Sequence, residues 1–156
     1  IMGNCYSWEY IKKDTFPDFT FKGKKCYAKV VDIYDGDTGR IVFRDNNEMK
    51  QYKFRLHGVD TPELRPLKSK KNRDKEIALA KKAKKFVSEL VLNHVVWIEM
   101  FDFDKYGRIL INIYPYNSVE ASLTDLLITE KLGKPYFGKK KEAFGFKNEK
   151  TGKGTS

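Results

Sequence analysis

The chain is poor in the residues that build crosslinks and soft-metal sites. It holds two cysteines, Cys5 and Cys26, and two histidines, His57 and His94. Two thiols do not make a disulfide framework, and these four residues show no zinc pattern of the Cys/His kind. Long apolar runs are missing too: no stretch approaches the roughly 18 residues of a membrane span. No basic segment followed by an apolar one opens the chain, so a secretory signal is not expected in it. Acidic residues are the minority charge. Against 21 Asp and Glu stand 31 Lys and Arg, a net charge of +10. An excess of that sign points to a polyanionic partner, either nucleic acid or an anionic membrane surface, with plain solubility as the competing account.

The 156 residues suffice for one domain with its core, but not for two. Residues 1–23 lack a clean period and read as an irregular lead-in. Residues 24–138 form the folded domain. Residues 139–156 are rich in Lys and Gly and read as a tail with low order. Taken from Met2, the segment Met2-Gly3-Asn4-Cys5-Tyr6-Ser7 fits an N-myristoylation pattern, with Cys5 placed for palmitoylation. One myristoyl chain anchors only marginally, so a second acyl chain or a basic patch would be required. The compartment stays open: membrane-associated if the chain is acylated there, otherwise secreted or cytoplasmic. A monomer is expected.

Periodicity predicts five strands and two helices. Lys25 to Tyr34 alternates and is rich in Val, Ile and Tyr, as a strand does. Thr38 to Arg44 is the second strand, and Asp45-Asn46-Asn47 suits a hairpin turn because Asp and Asn tolerate positive φ. Met49 to Val59 is the third strand, ended by Thr61-Pro62. Asp74 to Asn93 is the first helix, with Ala80, Ala83, Val87, Leu90 and Val91 along one stripe and Phe86 beside it. Val95 to Phe103 and Arg108 to Tyr114 are the last two strands. Ser122 caps a second helix that ends near Lys131 and faces Leu123, Leu126 and Leu127 to the core, with Gly133 just past its end. The connections among the first three strands are too short for parallel crossovers. The fold class is therefore mainly β with α (α+β). Its architecture is a five-stranded closed OB-fold β-barrel, with one helix between strands three and four and another after strand five.

Chemistry concentrates in three stretches: Asp35-Gly36-Asp37-Thr38, Arg55 with Asp60-Thr61-Pro62-Glu63, and Asp104-Lys105-Tyr106-Gly107-Arg108. Asp37 and Asp60 offer carboxylate oxygens to one hard cation, and the Thr61 carbonyl could add a third ligand. Glu63 lies beyond a rigid proline and suits a general base or a holder of water. Arg55 and Arg108 offer two guanidinium forks to a phosphate. Each also has a plainer reading. Asp35-Gly36 is a common turn pair, Glu63 could open an exposed loop, and either arginine could face solvent. Together they are the equipment for phosphodiester hydrolysis.

The three stretches in this order resemble the staphylococcal (micrococcal) nuclease, or thermonuclease, family. The matching run is Arg55-Leu56-His57-Gly58-Val59-Asp60-Thr61-Pro62-Glu63, with Asp35-Gly36-Asp37-Thr38 before it and Asp104-Lys105-Tyr106-Gly107-Arg108 after it. The likeness spans about Lys24 to Phe137. It implies an OB barrel that hydrolyses DNA and RNA with Ca²⁺, single strands preferred, by attack of water and loss of the 5′-oxygen to leave 3′-phosphate ends. It also implies Asp37, Asp60 and the Thr61 carbonyl as calcium ligands, and Arg55, Glu63 and Arg108 as catalytic residues. Lys105 and Tyr106 fall near the substrate phosphate, and Tyr136 or Phe137 on the nucleotide.

The chain departs from the family in several places. A long C-terminal helix is missing or replaced by the Lys139–Ser156 tail. The loop after Glu63 carries Arg65, Lys68, Lys70, Lys71 and Arg73, which could contact backbone phosphates. His57 stands where an aliphatic residue is common and reads as a structural side chain, and His94 as a helix-end residue. The rival function is a noncatalytic OB module that binds single-stranded nucleic acid. Such a module would be expected to lose acids or arginines, and here all six positions are kept. A lipid-anchored basic scaffold would leave Asp37, Asp60 and Glu63 unexplained.

Overall fold

The alternating apolar residues of the chain close on themselves. In a computed structural model, which describes residues 7–116, 119–138 and 144–145, five strands form a closed barrel. The elements in chain order are β1 (Lys25–Asp35), β2 (Thr38–Asp45), β3 (Glu48–Leu56), β4 (Val59–Asp60), α1 (Arg73–Val91), β5 (Val95–Phe103), β6 (Ile109–Tyr114), α2 (Leu123–Thr129) and β7 (Lys134–Pro135). Around the barrel the order is β1-β2-β3-β6-β5, with β5 returning to β1. All pairs are antiparallel except β3 with β6. The expected α+β OB-type barrel with two helices is what forms. The proposed acylation site at Gly3 and Cys5 lies outside the described residues, as does most of the tail.

The β2–β3 hairpin turns at Asn46 and Asn47, both at positive φ (47° and 65°), where asparagine is tolerated. Two register shifts in β1, between Val30 and Asp32 and between Ile33 and Asp35, interrupt its pairing with β2. Such bulges bend a strand and re-aim its end. The inward faces bury Val30, Ile41, Phe43, Phe54, Ile98, Met100, Ile109, Ile111 and Ile113. From α1, Ala80, Ala83, Val87 and Val91 are buried. From α2, Leu123, Thr124 and Leu127 are buried, while Leu126 is only half-buried. Helix α2 starts in a capping box: Ser122 Oγ accepts from the Asp125 N–H, and Asp125 accepts from the Ser122 N–H.

Several features differ from the sequence reading. The third strand does not run to Val59. It stops at Leu56 because Gly58 turns the chain at φ 80°. The chain then forms β4, which pairs with β7 as a separate two-stranded sheet that periodicity did not suggest. Gly133 does not supply the left-handed residue after α2; Lys131 does, at φ 57°. Gly133 is instead required by packing, since a Cβ there would lie 2.6 Å from Val59 Cγ2. Finally, Phe21 of the lead-in is 5% exposed and packs edge-on against Phe43 and Tyr52 at centroid distances of 5.3 Å.

Phe21 thus closes one end of the barrel, and Phe21→Ala should cost about 3–5 kcal/mol of unfolding free energy. Urea denaturation of the full chain checks this. A loss below about 1 kcal/mol would mean that the lead-in does not contribute to the core.

Candidate active site

One end of the barrel opens into a groove of about 1210 Å³. All ten residues singled out by sequence line it. Asp37, Arg55, Asp60, Thr61, Glu63 and Arg108 form its polar part, and Lys105, Tyr106, Tyr136 and Phe137 its rim. The barrel register brings them together. Thr38 of β2 pairs with Arg55 of β3, and the Leu56 N–H donates to the Asp37 carbonyl at 2.8 Å. Asp37 and Arg55 are therefore neighbours across a hairpin. Asp60 arrives from β4, just past the Gly58 turn.

Arg55 ties the two acids. Its Nη1 lies 3.0 Å from Asp37 Oδ2 and its Nη2 2.9 Å from Asp60 Oδ1. Both aspartates are buried, at 4% and 7% exposure. Burial would lower the Arg55 pKa, but Asp37 and then Asp60 outweigh it, so the guanidinium stays charged. For Asp37 burial dominates and raises the carboxyl above the ordinary aspartate range. Arg55 opposes the shift, and the like charge of Asp60 adds to it.

Gly36 has a role that turn chemistry does not explain. It is not at positive φ. A Cβ there would sit 2.9 Å from Ala83 Cβ of α1 and 3.0 Å from Thr61 Cγ2. The glycine lets the helix, the Asp37 turn and the Thr61 segment close on one another. The Thr61 N–H in turn reaches Asp37 Oδ2 at 3.4 Å, while Thr61 Oγ1 is buried with no hydrogen-bond partner among the described residues.

Arg108 is held by Asp104, a residue that sequence reasoning took only as part of a turn. Asp104 Oδ1 accepts from the N–H groups of Tyr106 (2.8 Å) and Arg108 (3.0 Å), and its Oδ2 accepts from Arg108 Nε. Burial would raise the Asp104 carboxyl, but the Arg108 N–H, the Arg108 guanidinium and the Tyr106 N–H hold it below the ordinary range. An Asp that caps its own turn is a recognisable local pattern. The grip on Arg108 needed the structure.

The rim is aromatic and basic. The Tyr106 ring lies 5.0 Å from Lys105 Nζ and 5.3 Å from the Arg108 guanidinium. Arg55 also lies 5.6 Å from the Tyr136 ring. Phe137 is 74% exposed, and His57 stacks on Phe101 at 4.2 Å. Of the loop cations, Arg65 reaches the groove, whereas Lys70 is paired with Glu76. His94 sits at the end of α1 with Nδ1 3.0 Å from the Leu90 carbonyl oxygen.

The described residues hold no cluster of three or more Asp, Glu, His or Cys suited to a metal. Two buried carboxylates beside one buried hydroxyl still form an all-oxygen donor set, which fits a hard cation whose shell is completed by carbonyls and water.

A sequence model of the family described as staphylococcal nuclease homologue matches residues 53–150, more than half of the chain. The match includes Arg55, Asp60, Glu63 and Arg108 but begins after Asp37. No individual curated protein matches the chain.

The raised Asp37 pKa has a stability consequence. The folded state holds this proton more tightly than the unfolded state does. Stability from this group is therefore complete below the ordinary Asp value near 3.9 and declines as pH rises through the folded value. In cation-free buffer the stability difference between the parent and Asp37→Asn should shift in favour of the parent as pH falls from 7 towards 4. Urea titrations of both proteins at several pH values check this, and a difference that does not change with pH would contradict it.

Proposed function

The chain belongs to the staphylococcal nuclease homologue family, and on that premise we propose that it is a Ca²⁺-dependent, sugar-nonspecific nuclease. The observation that carries this reading is the convergence of Asp37, Arg55, Asp60, Glu63 and Arg108 on one groove. A domain that only binds nucleic acid needs aromatics and cations. It has no use for two buried carboxylates locked to an arginine.

In this reading Arg55 and Arg108 flank the scissile phosphate and stabilise the negative charge that grows on its oxygens. Glu63 orients a water molecule and takes a proton from it as the water oxygen bonds to phosphorus. The bond from phosphorus to the 5′-oxygen breaks, and that oxygen is protonated from solvent, leaving a 3′-phosphate. Asp37, Asp60 and the Thr61 carbonyl would hold Ca²⁺, which supplies Lewis-acid stabilisation of the phosphate when bound. Asp104 keeps Arg108 extended towards the groove.

Two features support a polynucleotide substrate, with single strands favoured. The groove exceeds the roughly 300–1,000 Å³ of small-molecule sites. Tyr106 and Phe137 are largely exposed on its rim, where unpaired bases could stack. The net charge of +10 should make binding weaken steeply with salt.

The test is cleavage of single-stranded DNA and RNA with Ca²⁺ or with chelator. Cleavage should need the cation and yield 3′-phosphate ends. Arg55→Ala, Glu63→Ala and Arg108→Ala should each lower the rate by about 10²-fold or more. Absence of Ca²⁺-stimulated cleavage by the parent would leave the binding module as the surviving function.

A further inference from the structure

The first turn of α1 carries a carboxylate that the reaction above does not use. Glu76 is 2% exposed, and a carboxylate this buried needs partners. Its partners come from the two ends of the loop that follows the active-site segment. Lys70 Nζ reaches its two oxygens at 2.7 and 2.9 Å. The main-chain N–H of Glu63 points at Oε1 across a long 3.5 Å hydrogen bond. One side chain thus fastens both the entrance of the loop, at Glu63, and its exit, at Lys70.

The helix that carries Glu76 is a rigid reference. Ala83 lies seven residues further on, about two helical turns and so on the same side. It packs where Gly36 and Thr61 meet. Val87 and Val91 continue into the barrel core. The tie from Glu76 therefore refers the Glu63 main chain to the same helix that packs against the Asp37 turn.

We propose that Glu76 is a positioning residue for Glu63: by gripping the Glu63 main chain and Lys70, it sets where the Glu63 carboxylate stands relative to Asp37 and Arg55. This rests on the nuclease reading above. Glu76 touches no substrate in this account and acts only through Glu63. A reacting group moved by about 1 Å can lose on the order of 10²-fold in rate, so a long but fixed hydrogen bond at this point has kinetic weight.

Two substitutions separate positioning from mere support of the fold. Glu76→Gln keeps an oxygen that can accept from the Glu63 N–H. Glu76→Met fills similar space with no acceptor, and the partner it leaves, Lys70, has a side chain 42% exposed and can turn to solvent rather than stay buried and unpaired. Steady-state cleavage of single-stranded DNA with Ca²⁺ is the readout. Glu76→Met should lower kcat about 10-fold or more with little change in KM, and Glu76→Gln should recover most of that loss. The double variant Glu63→Ala/Glu76→Met should be no slower than Glu63→Ala alone, because nothing is left to position. An unchanged kcat in Glu76→Met overturns the proposal, and so does a double variant slowed by the product of the two single effects.

A second measurement does not depend on catalysis or on the folding of Glu76→Met. Lys70→Met removes one partner of the tie from a surface position. Amide hydrogen exchange across residues 63–70 of the full chain should then quicken about 10-fold while the barrel strands stay protected. Unchanged exchange in the loop overturns the tie. Were the parent itself inactive, the nuclease reading would fall while this measurement still decided whether Glu76 holds the loop.

Discussion

The site is organised around one guanidinium that must satisfy two buried carboxylates at once. Arg55 reaches Asp37 at 3.0 Å and Asp60 at 2.9 Å, and all three side chains are largely withdrawn from water. Buried charges that lose a partner typically cost about 3–5 kcal/mol, so the three groups hold one another in place. They sit on three different segments: the β1–β2 turn, β3 and β4. Keeping Arg55 paired therefore requires the hairpin register, the Gly58 turn and the β4–β7 pairing together. Helix α1 can seal this arrangement only because Gly36 presents no Cβ to Ala83.

The parallel pairing of β3 with β6 brings in the second arginine. Arg55 is opposite Leu110, so Arg108 stands two residues before that point, at the same end of the barrel. Asp104 then fixes the Arg108 guanidinium through its own turn. The short β4–β7 sheet carries the chain into Tyr136 and Phe137, and the Tyr136 N–H donates to the Gly58 carbonyl at 3.0 Å. The turn that places Asp60 thus also anchors the aromatic rim. Glu63 is referred to the same framework from outside the barrel, through Glu76 and α1.

Much of this was legible in the residues. Alternation located the five barrel strands, and the helical stripe located α1, because inward-facing apolar positions repeat with the period of the element that holds them. Ser122 announced α2 through its capping chemistry. Six of the ten candidate site residues, Asp37, Arg55, Asp60, Thr61, Glu63 and Arg108, were recognisable by type and spacing, and the other four, Lys105, Tyr106, Tyr136 and Phe137, only through the resemblance to the family. The third strand was read too long because Val59 continues its apolar pattern, and only the positive φ of Gly58 breaks it. Phe21 was passed over because a single aromatic in an irregular segment has no period to betray it. Glu76 was hidden for a related reason: a glutamate in the first turn of a basic helix looks solvated until a lysine from the preceding loop is seen to fold back on it.

By itself, then, the order of residues determined the elements, the class of the fold and the kinds of chemistry available, because these follow from local period, turn preference and side-chain type. Tertiary structure decided which of those groups meet. Asp37, Asp60 and Arg108 come from separate segments, and no local rule states that one arginine lies within 3.0 Å of two of the acids. Barrel closure decides it, because strand register converts separation along the chain into proximity across it. The same holds for the glycines. Their identity was plain in the sequence, but that Gly36 and Gly133 serve close packing rather than turning could be seen only once Ala83 and Val59 stood beside them.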